Sequence, residues 1–312
     1  MNGITERIDA ITKIPPAYRH EEIPAPRAVK IELTAACDFK CWFCANAKDL
    51  RVKGHMEWEL YRCLARELRD AGVEELGMFY LGESFLYPRL AWAIIYAKTV
   101  GFPYVFLTTN GNLASPARVK DCIEAGLDSL KFSFNWGSAE DCKEITHVDA
   151  FARVVQNIKD AQAMRDRIFN ETGHRCGLYA SSIMFDGEKQ KQMEAAIAEI
   201  RPYVDEHYWL PLYNQAGHID EQGRSYTQGN RGRVEALRDP LPCWAAFTEG
   251  HITFDGKLSA CCFDHNGQFE MGDLTSTPFL EAWNGEAFHA LRRAHLNSDV
   301  TGTACETCVA YQ

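Results

Sequence analysis

No stretch of this sequence is apolar for long enough to cross a membrane. The longest candidate, Leu90 to Ala97, falls far short of the ~18 consecutive apolar residues a span requires. The N-terminus, Met1 to His20, mixes charges with prolines and lacks the apolar core of a signal segment. These absences exclude a membrane role and set the expectation of a soluble, cytoplasmic protein. Positive charge is also scarce: 33 Lys and Arg stand against 43 Asp and Glu, a formal net charge of −10 at pH 7. A protein that grips phosphate backbones needs the opposite balance, so nucleic acid is excluded as a partner. The acidity is compatible with a cationic substrate, although solubility alone is the plainer reason for it. There is no internal repeat and no low-complexity tract.

What is present is an ordinary core and an unusual amount of cysteine. The 312 residues suit one large domain or a domain with a small appendage. Hydrophobic residues make up 46%, enough for a sizeable core. Twelve cysteines would be read as disulfides in an exported chain. In a cytoplasmic one, clustered cysteines mean metal or catalysis first.

Strand-like and helix-like segments alternate along the chain. Ala28 to Thr34 reads as a strand, and Glu57 to Ala71 as a helix with Leu60, Leu64, Leu68 and Ala71 on one face. Leu76 to Leu81 is the next strand, Leu90 to Val100 a helix closed by Gly101, and Tyr104 to Thr109 a strand. Ser115-Pro116 starts a helix that ends near Gly126. Ser129 to Asn135, Gly177 to Phe185 and Glu206 to Leu212 are further strands, separated by helices over Ala150 to Arg165 and Lys189 to Ile200. Six βα repeats favour a parallel sheet with outer helices, which right-handed crossovers curl into an open, partial (β/α)6 barrel. Its chemistry belongs at the C-terminal strand ends. Beyond it the pattern changes to a hairpin over His251 to Ala260, turning at Asp255-Gly256, and a helix over Pro278 to His295. The chain thus divides into an N-terminal extension (1–27), the α/β barrel (28–215), a linker or substrate-covering loop (216–240) and a small cysteine-bearing unit (241–312).

Directly after the first strand stands Cys37-Asp38-Phe39-Lys40-Cys41-Trp42-Phe43-Cys44. Three thiolates this close can wrap one four-iron cluster and leave its fourth iron open, and an open coordination position separates a catalytic centre from a structural one. Zinc would want a fourth ligand nearby, and His55 is eleven residues on in another segment. Cys-x3-Cys-x2-Cys after a first strand resembles the signature of the radical S-adenosylmethionine (SAM) superfamily, over about residues 28 to 215. The resemblance implies that the open iron binds SAM and that one electron cleaves it to methionine and a 5′-deoxyadenosyl radical, which takes a hydrogen atom from the substrate. It implies an external one-electron donor such as flavodoxin or ferredoxin. It also implies SAM contacts at Gly82 and Glu83, which resemble the family's Gly-Gly-Glu-Pro motif with Leu81 and Ser84 replacing its first and last residues. Further contacts are implied at Thr109 and Asn110, at Ser133 and Asn135, and at Phe43 beside the adenine. Each alone could be an ordinary turn residue; together they fall at successive strand ends.

A second group lies near the C-terminus: Cys243, Cys261, Cys262, Cys305 and Cys308. Four ligands from three separated pieces would tie a small, poorly cored unit together, as metals do. A zinc ribbon usually uses two short Cys-x2-Cys knuckles, and only Cys305/Cys308 is one. The arrangement resembles the SPASM or twitch extension of radical SAM enzymes. The resemblance implies one auxiliary 4Fe-4S cluster on Cys243, Cys261, Cys305 and Cys308, hence two clusters in all, as in sugar- and aminoglycoside-modifying members.

Of the remaining cysteines, Cys63 and Cys122 read as core residues of amphipathic helices, Cys142 is ambiguous, and Cys176 lies at the far end of its strand. Cys262 has three readings: an alternative ligand, a hydrogen-atom donor, or a buried bystander. Asp264 and His265, with Glu249 and His251, are candidates to hold a polar substrate or accept its proton, as are Tyr213, Asn214 and His218. The expected function is hydrogen abstraction from a small polar metabolite, a sugar, aminocyclitol or aminoglycoside, giving dehydrogenation or epimerisation at a carbinol carbon. The alternative is a peptide or protein maturase that oxidises or crosslinks side chains; the roughly 27 residues before the first strand are too few for a peptide-recognition domain.

Overall fold

The computed structural model describes residues 3–213, 215, 219, 241–267, 269–306 and 308. The expected linker at 216–240, Ile219 apart, and the candidates Asn214 and His218 lie outside them. The chain opens with helix α1 (Ile4–Thr12) and enters five strand–helix units and a sixth strand: β1 (Ala28–Ile31), α2 (Trp58–Asp70), β2 (Glu75–Gly77), α3 (Leu90–Thr99), β3 (Tyr104–Thr109), α4 (Pro116–Glu124), β4 (Ser129–Ser133), α5 (Ala139–Thr146), α6 (Phe151–Thr172), β5 (Gly177–Ile183), α7 (Gly187–Ile200) and β6 (Glu206–Leu210). The C-terminal part holds α8 (Ala245–Thr248), β7 (Glu249–Ile252), β8 (Lys257–Ser259), β9 (Glu270–Asp273), α9 (Phe279–Trp283) and α10 (Glu286–Leu296).

The nine strands among the described residues form one sheet in the order β6-β5-β4-β3-β2-β1-β7-β8-β9. The first six are parallel in sequence order, the open partial barrel that alternation predicts. β7 then adds to the free side of β1, also in parallel, with Ala28 against Glu249 and Ile31 against Ile252. The hairpin β7–β8 and strand β9 continue antiparallel. The C-terminal unit is therefore an extension of the barrel's sheet, joined through the strand that precedes the first cysteine cluster.

Several strands end earlier than their sequence patterns because the chain leaves the ladder to build loops. β1 stops at Ile31, and from Thr34 the chain bridges to His55 on the return of its own loop. The predicted helix over 278–295 is two helices that break at Asn284-Gly285, where the Asn284 side chain holds both backbone groups of Ile23. On α2 the core stripe is Tyr61, Leu64, Ala65 and Leu68. Cys63 points away from that stripe and is exposed, which corrects its reading as a core residue; Cys122 is buried as expected.

Helix α1 lies across the N-terminal ends of the barrel strands. Arg7 pairs with Glu75 at the start of β2 and covers the rings of Tyr104 and Phe106, while Thr5 bonds Glu206 at the start of β6. Ile4 and Ile8 pack with Tyr179, Tyr208 and Leu210. From this position Ile8 and Thr12 of α1 also reach the cavity that the C-terminal cysteines line.

Candidate active site

The loop from Ala35 to Lys53 is tied on every side. Lys40 N–H donates to the Thr146 carbonyl at 3.0 Å, and Trp42 N–H to that of Ile145 at 3.3 Å, so the end of α5 backs the loop. Within it, Cys44 N–H reaches the Cys41 carbonyl and Ala47 N–H the Cys44 carbonyl, each at 3.0 Å, a tight turn that keeps the last two thiols on one side. Gln215 clamps the loop from beyond β6: its amide accepts from Ala45 N–H at 2.9 Å and donates to the Phe43 carbonyl at 2.8 Å. Asp38 accepts from Asn110 and Asn112, both at 2.7 Å, and Asn110 Nδ2 lies 3.9 Å from Cys37 Sγ.

Gly82 is there because nothing larger fits. A Cβ would stand 2.1 Å from the Thr34 carbonyl oxygen and 2.6 Å from that of Ala36. This close approach lets Glu83 N–H donate to the Ala36 carbonyl at 2.8 Å, stitching the end of β2 to the cluster loop. The Glu83 carboxylate is 2% exposed and accepts from Thr109 Oγ1 (2.8 Å), Asn110 N (2.7 Å) and Phe85 N (3.1 Å). Burial pushes its pKa up to about 7 against those donors. A carboxyl so placed gains from a cationic partner. Asn135 is turned to structure, its Oδ1 accepting from Ile183 N–H at 2.9 Å, while Ser133 stays half-buried at the end of β4. Phe43 is buried beside the Trp42 ring.

Cys243, Cys261, Cys262, Cys305 and Cys308 all line one cavity of about 330 Å³, which Phe43, Cys44 and Gln215 line as well. The lining is predominantly apolar and aromatic, with Tyr213, Trp244, Phe263 and Phe269. Tyr80, past the end of β2, donates to the Cys261 carbonyl at 2.8 Å and the Asp264 carbonyl at 3.2 Å. Phe263 N–H meets Cys261 Sγ at 3.3 Å. His295 bridges two pieces: Cys243 N–H donates to Nδ1 at 3.1 Å, and Nε2 is 3.4 Å from Cys305 Sγ. Sequence reading missed His295, Gln215 and Tyr80, because no motif spacing marks them.

Asp264 lines the cavity, is 1% exposed and accepts from Phe269 N–H. His265 is buried beside it. Glu249 lines an interior pocket with Lys30, Phe79 and Phe106. Glu249 Oε2 is 2.7 Å from Lys30 Nζ and 3.0 Å from His251 Nε2. Burial would raise its pKa, but these two neighbours hold it well below the usual carboxylate range. The His251 ring reaches the cysteine side through Tyr80, 5.5 Å away.

The thiols fit iron–sulfur ligation. Burial, with Glu83 and Asp38 nearby, pushes Cys37 up to about 12, and burial with the neighbouring thiols raises Cys41 and Cys261. Burial with Cys243 and Cys308 pushes Cys305 up to about 12. Thiols gathered this way become thiolates only with a cation to share. Among the described residues no three Cys, His, Asp or Glu side chains converge tightly enough for a single metal ion. A cluster, which spreads its ligands over several irons, does not require such convergence.

The family model described as the radical SAM superfamily matches residues 31–197, and that of the SPASM iron–sulfur cluster-binding domain matches 243–309. A probable GTP 3′,8-cyclase of Sulfurisphaera tokodaii is 25% identical over 284 residues, covering 80% of this chain and 86% of the relative. One of Saccharolobus solfataricus is 33% identical over 133 residues, 43% and 42% of the two chains. In fold, the chain is similar to Streptococcus suis SuiB bound to precursor peptide SuiA (TM-score 0.70, 14% identity, covering 94% of this chain and 72% of that one). It is also similar to BtrN in complex with AdoMet and 2-DOIA (TM-score 0.60, 15% identity, 90% and 92%).

Proposed function

Given that the chain belongs to the radical SAM superfamily and carries a SPASM domain, we propose that it removes a hydrogen atom from a small molecule held between two iron–sulfur centres and then oxidises the resulting radical. The two domains imply SAM and 4Fe-4S clusters. Cys37, Cys41 and Cys44 would hold the SAM-binding cluster, and Cys243, Cys261, Cys305 and Cys308 the auxiliary one. When bound, the first supplies the electron that splits SAM into methionine and a 5′-deoxyadenosyl radical, and the second takes up an electron. Glu83 would receive the SAM ammonium, Asn110 with Thr109 would orient it, and Phe43 would cover the adenine. The apolar cavity wall excludes water from the radical. Asp264 or His265 would accept the proton that leaves a carbinol hydroxyl.

The observation that carries this reading is that Phe43 and Cys44 of the first cysteine loop line the same cavity as the C-terminal cysteines. A substrate there has an electron acceptor at hand, which favours dehydrogenation over inversion. The substrate class we favour is a small polar molecule such as a sugar, aminocyclitol or aminoglycoside, and the BtrN complex with 2-DOIA offers a parallel of fold. A nucleotide is the second reading, supported by the cyclases' similarity over most of the chain. Anaerobically reconstituted protein should contain about eight irons per chain and release 5′-deoxyadenosine from SAM under a low-potential reductant. Cys37→Ala should abolish that release. Incubation with 2-DOIA-type aminocyclitols, GTP or peptides, reading 5′-deoxyadenosine above the substrate-free rate, separates the substrate classes. Two zincs and no iron would overturn the whole reading.

A further inference from the structure

His295 stands in the last turn of α10, is 1% exposed, and touches two of the four cysteines assigned to the auxiliary centre. The Cys243 backbone amide has a proton to give and none to take, so Nδ1, 3.1 Å away, is the acceptor. A ring nitrogen that accepts carries no proton. The ring is therefore neutral, and its one N–H is on Nε2. The neighbour of Nε2 is Cys305 Sγ at 3.4 Å. The backbone of one ligand segment thus selects the tautomer that aims a donor at the sulfur of another. The edge of the Phe247 ring, at 88° to the imidazole, helps fix its plane.

We infer that His295 is a positioning residue that tunes the auxiliary centre: its Nε2–H donates to the Cys305 thiolate and raises the reduction potential of the cluster held there. Hydrogen bonds to cluster sulfurs are among the determinants of potential. A donor stabilises the reduced state more, because that state carries one more negative charge. The direction suits oxidation of a substrate radical: the radical loses one electron, its hydroxyl proton leaves to a base, and the cluster gains the electron, with no bond made or broken at His295. The inference rests on the assignment of Cys243 and Cys305 as auxiliary ligands.

The test isolates the auxiliary cluster in full-length protein carrying Cys37→Ala, Cys41→Ala and Cys44→Ala, and follows its reduced signal in an electron-paramagnetic-resonance redox titration. His295→Phe removes the donor and keeps the bulk. Its reduction equilibrium should fall about tenfold, ~59 mV for one electron. His295→Gln places an amide N–H near the Nε2 position and should return the midpoint close to its starting value. A His295→Phe midpoint equal to that of the unsubstituted histidine would overturn the inference, as would equal shifts in both variants. Failure of either variant to assemble the cluster would mark His295 as a prop for Cys243 and overturn it too. A failure of the ligand assignment itself looks different, since Cys243→Ala or Cys305→Ala would then leave the auxiliary signal and its roughly four irons in place.

Discussion

Replacing Gly82 by Ala adds one methyl carbon at the point where β2 meets the cluster loop. That carbon would lie 2.1 Å from the Thr34 carbonyl oxygen and 2.6 Å from that of Ala36. Both obstacles are backbone, so no side chain can swing aside. Comfortable van der Waals separation is ~3.5 Å, and the two segments must part by roughly an ångström or more. Overpacking of this kind costs about 1–3 kcal/mol. Parting also breaks the 2.8 Å bond from Glu83 N–H to the Ala36 carbonyl, worth about 1 kcal/mol net. The expected loss is about 2–4 kcal/mol, and it falls on the residue next to Cys37. Gly173→Ala is the control, since Gly173 has φ +76 and nothing within 4 Å of its missing Cβ. There the cost is backbone strain alone, about 1–2 kcal/mol. The assay is denaturant unfolding beside iron content and SAM binding. Both variants should lose stability, but only Gly82→Ala should also lose iron and SAM affinity. Wild-type stability and iron loading in Gly82→Ala would refute the close approach.

The Glu83 carboxyl, raised to about 7 by burial, contributes stability that is full below the ordinary value of 4.5 and is lost as pH rises through 7. Comparing urea unfolding of wild type with Glu83→Gln at pH 5.5 and 8 should show a difference changing by on the order of 2 kcal/mol; parallel profiles would contradict it. Cys262→Ala should keep both clusters and still form oxidised product, because the proposed auxiliary ligands are Cys243, Cys261, Cys305 and Cys308; loss of about four irons would make it a ligand, and loss of product with 5′-deoxyadenosine still released a hydrogen donor. Glu249→Gln leaves Lys30 without its carboxylate inside the barrel and should destabilise by about 3–5 kcal/mol, measured by denaturant midpoint; a change below 1 kcal/mol would mean that water reaches the pair.

The sequence carried the local features well. β3 has the residues its apolar run predicts, Tyr104–Thr109. The hairpin turns where Asp255-Gly256 stands, with Gly256 at φ +85. Gly82 and Glu83 were visible because a strand-end glycine before an acid is a local signal. What was not legible depends on distance. β9 reads as polar because it is a partly exposed edge strand. α1 is short, and its role shows only against Glu75, Tyr104 and Glu206. Gln215 and His295 matter through partners 170 and 52 residues away, which no spacing rule encodes. The exposed Cys63 shows a finer limit: an amphipathic helix tells that a core face exists, but a residue one step round from Leu64 can still face solvent.

The junction of β1 with β7 also sets an order of events during synthesis. β1 is the first strand made, and its second neighbour in the sheet comes from near the other end of the chain. Through most of translation its outer edge is therefore an open row of amides and carbonyls, the kind of template that recruits stray strands. Contacts of such long sequence separation form late. The loop carrying Cys37, Cys41 and Cys44 hangs from that same strand, so it gains its second flanking strand only when the C-terminal unit has been made.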